Sequence, residues 1–291
     1  MASAKDLKRK IQSISNTRKI TRTMEMVSAA KSKQAQVRVE ANTPYSQKLA
    51  ELLESVSASA TIDHFLLREP EGTSKNALVV VTANRGLCGG YNSSVLSQAE
   101  KWIAAEREQG RDTDVIMLGK KGISRFRFRG IPVHTQYTHF GDRPTFREAE
   151  DLARMLMERL ARGEVARVWV ISTRYLSAAT QRPVLTQVLP IVPGQADRAP
   201  EERRAEVEFI FEPAPKTILE ALLPFSVSQL VYRLLIEAAV SEQIARRLAM
   251  KLATDNASEL IRMYTRKYNR ERQAGITQQI MEVVAGAEAL G

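Results

Sequence analysis

The sequence predicts an α/β protein in which long N- and C-terminal helices pair as an antiparallel coiled coil and the residues between them form a central α/β domain. The first observation is the distribution of helix breakers. All eleven prolines and eleven of the fourteen glycines lie between Pro44 and Pro224, and both residue types are disfavoured inside helices. The second is that this middle part alternates apolar with amphipathic runs, as α/β domains do. We therefore expect three parts, residues 1–60, 61–215 and 216–291.

The C-terminal part shows the apolar spacing of one coiled-coil helix. Its apolar or small residues recur at intervals of three or four, which leaves one stripe in need of a partner. The stripe is formed by Val227, Leu230, Leu234, Ala238, Ser241, Ala245, Leu248 and Leu252. A helix from about Ser226 to about Ala285 would be about 90 Å long, so we expect it to project from any compact body.

The N-terminal part offers a matching stripe. Its members fall into three groups, with a slip of phase around Asn16 to Lys19. They are Leu7, Ile11 and Ile14, then Ile20, Met24 and Val27, then Tyr45, Leu49, Leu52 and Val56. Neither helix can bury its stripe alone, so the sequence predicts that the two helices pack against each other in antiparallel fashion.

The central part predicts a largely parallel sheet with helices on its faces, a Rossmann-like arrangement. We expect strands at 77–83, 114–118, 131–137 and 165–173, with short β segments near 184–191 and 206–212. We expect helices at 93–108 and at 146–163, the second ending at Gly163. Glycine-containing turns follow the first two strands, at 85–92 and 119–122.

Composition excludes several classes of protein. The chain is 44% hydrophobic and 26% charged, and we see no apolar run approaching the roughly 20 residues of a membrane span. The first residues are polar and lack the apolar core of a secretory signal, so we expect the protein to stay in the cytoplasm. Cys88 is the only cysteine, which excludes an internal disulfide and a cysteine-based zinc cluster.

The net charge of +10 is concentrated near the N-terminus. Residues 1–40 hold ten Lys or Arg against three acidic residues, whereas residues 41–240 carry a net charge of only +1. Such a segment favours an acidic partner, although a solvated helix face would look the same. Nucleic acid is the less favoured partner, because the segment lacks the interleaved aromatic residues that bind bases.

The turn after the first strand is where a Rossmann-like fold would bind a nucleotide phosphate. Gly86, Gly89 and Gly90 do not form G-x-G-x-x-G, and no Gly-Lys-Ser/Thr follows to complete a P-loop. The motif GKKG at 119–122 also lacks the rest of that loop. We therefore interpret the glycines of the first turn as structural residues that allow positive φ.

An enzymatic alternative rests on Cys88. Gly86, Cys88 and Gly90 spell G-x-C-x-G between a strand and a helix, which is the layout of a nucleophile elbow in an α/β hydrolase. His134 and His139 follow Asp112 and Asp114 in the acid-then-base order of that class. No segment resembling an oxyanion loop precedes the first strand, and a lone cysteine is most often a small buried apolar residue.

Three blocks of the sequence are specific enough to compare with known families. The first is IQSISNTRKITRTMEMVSAAKSKQAQ at 11–36, the second is RGLCGGYN at 85–92, and the third combines MKLATDNASELI with YNRERQAGITQQIMEVVAGAEA in the C-terminal helix. Together they resemble the gamma subunit of F-type ATP synthases, and the first is similar to that family's N-terminal shaft helix. These blocks begin, centre and end the chain, so the resemblance covers nearly all of it.

The resemblance implies a central rotor shaft that couples transmembrane ion flow to ATP synthesis or hydrolysis. It implies no catalytic, cofactor-binding or metal-binding residue in this chain. The expected partners are the alpha and beta subunits, the epsilon subunit and the membrane ring of c subunits, at the cytoplasmic face of a bacterial membrane. The positions that the resemblance places against the alpha and beta subunits are Met24, Arg246, Arg272, Gln273, Thr277 and Gln279.

Two departures from the family pattern accompany the resemblance. Gln279 stands where the family's C-terminal signature usually has a glutamate. The inserted loop with two cysteines that gives chloroplast members redox control is also absent, so we expect no thiol switch. The polar stretch at 194–204 is our prediction for the foot that grips the c ring.

Overall fold

A computed structural model describes residues 4–59, 64–192 and 215–288 of the protein. The described residues up to Ala29 and from Arg246 onward form one compact unit, unit 1, and those from Ala30 to Ala245 form a second, unit 2. The helices are α1 (Ala4–Ser59), α2 (Tyr91–Glu108), α3 (Lys120–Arg129), α4 (Phe146–Ala161) and α5 (Pro215–Glu288). The strands are β1 (Asn76–Val81), β2 (Thr113–Leu118), β3 (Thr135–Tyr137), β4 (Arg167–Tyr175) and β5 (Gln181–Leu189), and a short 3-10 helix covers Phe65–Leu67.

Unit 2 contains a five-stranded sheet in the order β3-β2-β1-β4-β5. The first four strands pair in parallel, and β5 returns antiparallel to β4. β1 is buried at all six positions, as expected for a strand covered by helices on both faces. The predicted fold class and the largely parallel sheet are therefore confirmed.

Helices cover both faces of the sheet. On one face α2 and α3 bury Val95, Ile123 and Phe126 against β1 and β2. On the other face α4 and the first part of α5 form the larger core, in which Leu156 and Val231 are members. Thr145 begins α4 with a capping box to Glu148, and Gly163 follows its end at φ 68°, the left-handed conformation that glycine adopts without strain.

The apolar stretch of α5 in unit 2 is a core helix. α5 contains an 18-residue window of mean hydropathy 1.3, which is apolar enough by composition alone to cross a membrane. Val227, Val231, Leu234 and Ala238 of this stretch are buried in the larger core. Packing against the sheet therefore accounts for the hydropathy. The predicted stripe is correct from Val227 to Ala245, but its partner includes the sheet as well as α1.

Unit 1 is an antiparallel helix pair formed by the ends of α1 and α5. Thr254 Oγ1 donates a hydrogen bond to Thr21 Oγ1 at 2.8 Å, and both residues are buried. Lys10 Nζ lies 5.8 Å from the ring centre of Tyr264. Moving back along α1 from Thr21 to Lys10 thus corresponds to moving forward along α5. The pairing direction agrees with the sequence prediction.

The predicted stripe is wrong in the middle of unit 1. The inward positions of α1 recur every seven residues and include polar ones; they are Leu7, Ile14, Thr21 and Ser28. Ile20 and Val27 are exposed instead, as are Leu248 and Leu252 of α5, while Met250, Thr254 and Ala257 are buried. Small and polar residues line the helix–helix interface there, so the positions of the largest apolar side chains did not predict it.

Other differences from the predicted elements are local. The segment Lys120–Arg129 was not predicted as a helix but forms α3, and the strand expected at 131–137 is reduced to Thr135–Tyr137. Pro44 lies inside α1 and Pro224 inside α5, so neither proline ends its helix. The β segment expected at 206–212 and the foot expected at 194–204 lie outside the described residues. The boundaries expected at residues 60 and 216 stay a prediction.

Candidate functional site

The carboxyl edge of the sheet in unit 2 is the first candidate site. The strand order reverses beside β1, between its neighbours β2 and β4, and open α/β sheets bind ligands in the crevice at such a reversal. Here helix α5 occupies that crevice. Ala245 packs against Ala83, Cys88 and Tyr91, which follow β1.

Two polar contacts join α5 to the neighbouring strand β4. Ser241 Oγ donates a hydrogen bond to the carbonyl oxygen of Thr173 at 3.5 Å. The backbone N–H of Tyr175 donates to the Glu237 carboxylate at 3.4 Å. Ser241 is fully buried, and its small side chain lets the helix approach the strand closely. The part of the fold that holds a nucleotide in dinucleotide-binding proteins therefore holds a helix in this chain.

The glycine turn between β1 and α2 is held together by its own side chains. Asn92 Oδ1 accepts the backbone N–H of Ala83 at 2.9 Å. Asn84 Nδ2 donates to the carbonyl oxygen of Phe140 at 2.7 Å, and its Oδ1 accepts the N–H of Lys120 at 3.1 Å. These contacts fasten the turn to α2, to α3 and to the loop before α4.

The expectation that the glycines of this turn take positive φ is only partly correct. Gly89 has φ 55°, but Gly90 has φ −80°, and Leu87 adopts a left-handed φ of 62°. Leu87 is also exposed. A leucine in this conformation costs about 1–2 kcal/mol relative to the right-handed one, so the surrounding hydrogen bonds must offset that cost.

The second glycine motif, GKKG, is structural. A Cβ on Gly119 would lie 2.1 Å from the carbonyl oxygen of Thr82, and one on Gly122 would lie 2.2 Å from Met117 Sδ. Thr82 Oγ1 donates to the Leu118 carbonyl at 2.7 Å and accepts the Gly122 N–H at 3.0 Å. Both glycines are therefore needed for α3 to pack directly against β1 and β2.

The environment of Cys88 does not favour the hydrolase alternative. The thiol is buried and accepts a hydrogen bond from Asn92 Nδ2 at 3.1 Å. The three histidines make other contacts: His64 Nδ1 accepts the Leu66 N–H, His134 lies 3.9 Å from the Asp114 carboxylate, and His139 packs on Phe140. Cys88 therefore serves in the packing between the glycine turn and α5.

Charged side chains are concentrated at the amino edge of the sheet. Lys75 Nζ lies 2.8 Å from Asp114, which also pairs with Arg159. Burial alone would raise the pKa of Asp114, but the hydrogen bonds from Lys75 and Arg159 outweigh burial and hold the pKa below its ordinary value. This cluster ties β1, β2 and α4 together.

A second carboxylate at the same edge is that of Glu106, in the last turn of α2. Arg111 Nε donates to its carboxylate at 2.6 Å, and Asn76 Nδ2 donates to it at the same distance. The hydrogen bond from Arg111 is the main reason that the pKa of Glu106 lies below its ordinary value. Both carboxylates thus stabilise the domain while ionised.

The positions expected to meet the alpha and beta subunits all lie in unit 1 but not together. Met24 is half-buried on α1, and Arg246 is buried on α5. The other four, Arg272, Gln273, Thr277 and Gln279, are exposed further along α5. They begin 18 residues beyond Thr254, the partner of Thr21, which is about 27 Å along a helix. Their role at an interface stays a prediction.

Sequence comparison identifies the family. A family model described as ATP synthase matches residues 3–290. The ATP synthase gamma chain of Leptospira biflexa is 46% identical over 291 residues, with all of both chains covered. This chain belongs to the ATP synthase gamma chain family. The gamma chain of Gemmatimonas aurantiaca is 44% identical, with coverage of 100% of this chain and 99% of the relative.

Solved structures of other ATP synthases share the fold. A chain in the cryo-EM structure of the Euglena gracilis mitochondrial ATP synthase has a TM-score of 0.69 at 20% identity, covering 99% of this chain and 94% of that chain. A chain in the central stalk and c-ring structure from Tetrahymena thermophila has a TM-score of 0.58 at 21% identity, covering 80% and 99%. The resemblance stated from the three sequence blocks is therefore confirmed, and the hydrolase alternative is not favoured.

Sequence reasoning missed the residues that hold α5 to the sheet. Glu237, Ser241 and Ala245 contact the sheet edge, whereas Ser241 and Ala245 were assigned to a helix–helix seam. The usable signal was their small size at a spacing of four, because small residues allow a helix to approach another element closely. Asn84 and Asn92 were also missed, because the sequence does not show which groups an asparagine in a turn will hydrogen-bond.

Proposed function

We propose that this chain is the central rotor shaft of a proton-translocating ATP synthase and is itself non-catalytic. Ion flow through the membrane turns the shaft, and rotation couples that flow to ATP synthesis or hydrolysis in the ring of alpha and beta subunits. Besides family membership, one observation carries the proposal: α5 fills the crevice in which an α/β domain would otherwise bind a ligand. The α/β domain therefore packs tightly against helix α5, as a domain that holds a rotor shaft must.

Torque requires contacts that differ between rotor positions. A ligand or subunit shifts an equilibrium between two states only by as much as its contacts with those states differ in free energy. The proposed contact residues are Met24, Arg246, Arg272, Gln273, Thr277 and Gln279. The exposure of the last four supports this role. Arg246 is buried within the chain, so its proposed contact requires a change of side-chain conformation or acts through its neighbours.

The charge of the N-terminal segment supports an acidic partner in the catalytic ring. Residues 1–40 carry a net charge of +7, and charge complementarity confers orientation and specificity more than raw affinity. We propose that an acidic loop of each beta subunit passes this segment in turn. Attraction that varies with the angle of the shaft is then the electrostatic part of the coupling.

The proposed assembly places the chain between the catalytic ring and the membrane. Structural relatives occur in complexes described as containing F1 and a c-ring. By the same arrangement, this chain binds the epsilon subunit and a ring of c subunits and is peripheral at the cytoplasmic face of a bacterial membrane. The tip of α5 supports enclosure by a partner, because Ile276, Ile280 and Val283 are exposed there among the described residues of unit 1.

The test is assembly. The purified chain is mixed with alpha and beta subunits from the same organism, and ATPase activity is measured across a sizing column. We expect an ATP-hydrolysing complex that contains all three chains. A matched control carries Cys88→Ser, which should assemble and hydrolyse ATP equally well. Failure to form any complex with the ring subunits, or esterase activity of the isolated chain that Cys88→Ser abolishes, would contradict the proposal.

A further inference from the structure

Helix α3 is the most basic element of unit 2. It contains Lys120, Lys121, Arg125, Arg127 and Arg129 and no acidic residue. This is notable because residues 41–240 as a whole carry a net charge of only +1. Glu100 of α2 pairs with Arg125 at 3.2 Å and with Arg129 at 3.4 Å. Within the described ranges, no carboxylate pairs with Lys120, Lys121 or Arg127.

An exposed aromatic ring stands among these charges. Phe128 is 86% exposed, and Arg127 and Arg129 precede and follow it. The apolar face of α3 is already buried through Ile123 and Phe126, so Phe128 is not needed to hold the helix on the sheet. A phenyl ring that is almost fully in water and flanked by cations is typical of a contact surface.

The end of α3 can be located within unit 2. α3 follows the carboxyl end of β2 and runs back over the sheet, so its last residues lie towards the amino edge. Ala245 lies at the opposite, carboxyl edge beside Ala83. Under the proposed function the chain belongs to a membrane-associated complex, so a bilayer is available to this surface.

We propose that the end of α3, formed by Arg127, Phe128 and Arg129, binds the headgroup region of an anionic phospholipid bilayer. The arginines are attracted to the lipid phosphates, and the phenyl ring inserts at the level of the headgroups. A protein partner would need a complementary surface of about 800 Å², whereas a fluid bilayer adapts to a single protruding ring. The choice of a bilayer as the partner rests on the proposed function; the charge and the exposed ring do not.

The test compares two variants of the full-length chain that lose the same charge and the same kind of ring. Arg127→Glu with Phe128→Ser changes the proposed surface. Arg154→Glu with Phe65→Ser changes exposed residues elsewhere in unit 2. Binding to sedimented vesicles of phosphatidylcholine alone, or mixed with phosphatidylglycerol, is measured for both variants and for the unchanged chain. The basic N-terminal segment is common to all three proteins, so its contribution cancels.

We expect the unchanged chain to prefer the mixed vesicles. The α3 variant should lose about tenfold or more in partitioning to them, since each basic side chain near an anionic surface contributes about fivefold. The control variant should stay within about twofold of the unchanged chain. Equal loss in both variants would mean that only net charge matters, and no loss in either would leave an acidic protein as the partner. Either result overturns the proposal.

Two further measurements keep the test decisive. The substituted side chains are exposed, so thermal unfolding should be nearly unchanged and excludes misfolding as the cause. The single variant Arg127→Gln should lose about fivefold in binding, and Phe128→Ala should also bind more weakly, because it removes the ring at the headgroup level. A loss in neither contradicts the proposal. The α3 variant should still form an active complex with alpha and beta subunits. Failure of the unchanged chain to do so would refute the proposed function and leave the vesicle result standing.

Discussion

The two units of the molecule are stabilised in different ways. Unit 2 buries large apolar side chains such as Phe126, Leu156 and Ile171 and pairs its buried carboxylates with arginine or lysine. Unit 1 has a seam that includes Thr21 and Thr254, while many of its apolar side chains face outward. Unit 2 therefore buries its large apolar side chains within itself, whereas unit 1 exposes apolar surface that another chain can cover. We expect this difference between a domain that holds a rotor shaft, unit 2, and the shaft itself, unit 1.

The largest expected effect separates the two units by their cores. Leu156 is fully buried among apolar side chains, so Leu156→Ala should lower the free energy of unfolding by about 3–4 kcal/mol through lost burial and the cavity left behind. Ile280→Ala removes a similar side chain that is exposed on α5 and should change it by less than about 0.5 kcal/mol. Urea unfolding measures both. Comparable losses of unfolding free energy in the two variants would contradict the proposed difference between the units.

The next effect concerns the paired carboxylates of unit 2 and pH. The folded-state pKa values of Asp114 and Glu106 lie below their ordinary values, so their stabilisation is complete above the unfolded pKa of about 4. It is lost as the pH falls through the folded-state pKa. We expect the free energy of unfolding to be level above about pH 5 and to fall below about pH 4.

Asp114→Asn tests the source of that pH dependence. The substitution leaves Arg159 and Lys75 beside an uncharged amide and should cost about 3 kcal/mol at neutral pH. The acid-induced loss of stability should also become shallower, because one of the two titrating groups is gone. Urea unfolding from neutral to acidic pH provides both numbers. An unchanged slope would show that Asp114 is not responsible for the acid sensitivity.

Coupling provides a prediction for unit 1. Met24 is uncharged and flexible, and it lies in a basic segment that we propose faces an acidic loop of the beta subunits. Met24→Lys adds a donor that can pair with a carboxylate at some shaft angles and not at others, deepening one angular minimum by about 1–3 kcal/mol. We expect assembly and hydrolysis to persist while ion pumping per ATP falls.

The control for Met24→Lys is Met24→Leu, which keeps the size and the neutrality of the side chain. Hydrolysis and pumping are measured side by side in membranes that contain each variant complex. Met24→Leu should change neither rate appreciably. If Met24→Lys lowers both rates equally, or lowers neither, Met24 does not lie at a coupling contact.

The smallest effect sharpens the description of the seam in unit 1. Thr254→Val removes the hydrogen bond to Thr21 and should cost about 1 kcal/mol. Thr265→Val, at an exposed position on the same helix, should cost less. Adding Thr21→Val to Thr254→Val should recover part of the loss, because two apolar groups then face each other. Unfolding of the helices measures the stability of each variant. Additive losses in the double variant would show that the two hydroxyl groups do not interact.

The sequence predicted the central sheet well for a physical reason. Strands of a parallel sheet are buried on both faces, so each appears as a continuous apolar run such as Ala77 to Val81. Helix α3 was missed because its two buried apolar side chains, Ile123 and Phe126, are separated by Ser124 and Arg125 and preceded by Gly122. What makes this segment a helix is its close packing against Thr82 and Met117, which local sequence does not reveal.

The candidate sites were predicted less completely. Three sequence blocks were sufficient to identify the family. The G-x-C-x-G motif was interpreted as part of a structural turn, and the hydrolase alternative that it offered is not favoured. The seam of unit 1 was misplaced because Thr21 and Ser28 are buried while the more apolar Ile20 and Val27 are exposed. A hydrophobic pattern identifies the apolar surfaces that require burial, and we propose that in unit 1 some of those surfaces contact other chains.

Rotation itself tests the central claim most directly. In a chain that carries Cys88→Ser, Ser97→Cys places a single exposed thiol on α2, and a bead is attached to it after assembly with immobilised alpha and beta subunits. We predict that the bead turns continuously in one direction when ATP is added and stops when hydrolysis is inhibited. Complexes that hydrolyse ATP while the bead fluctuates without net direction would contradict the account.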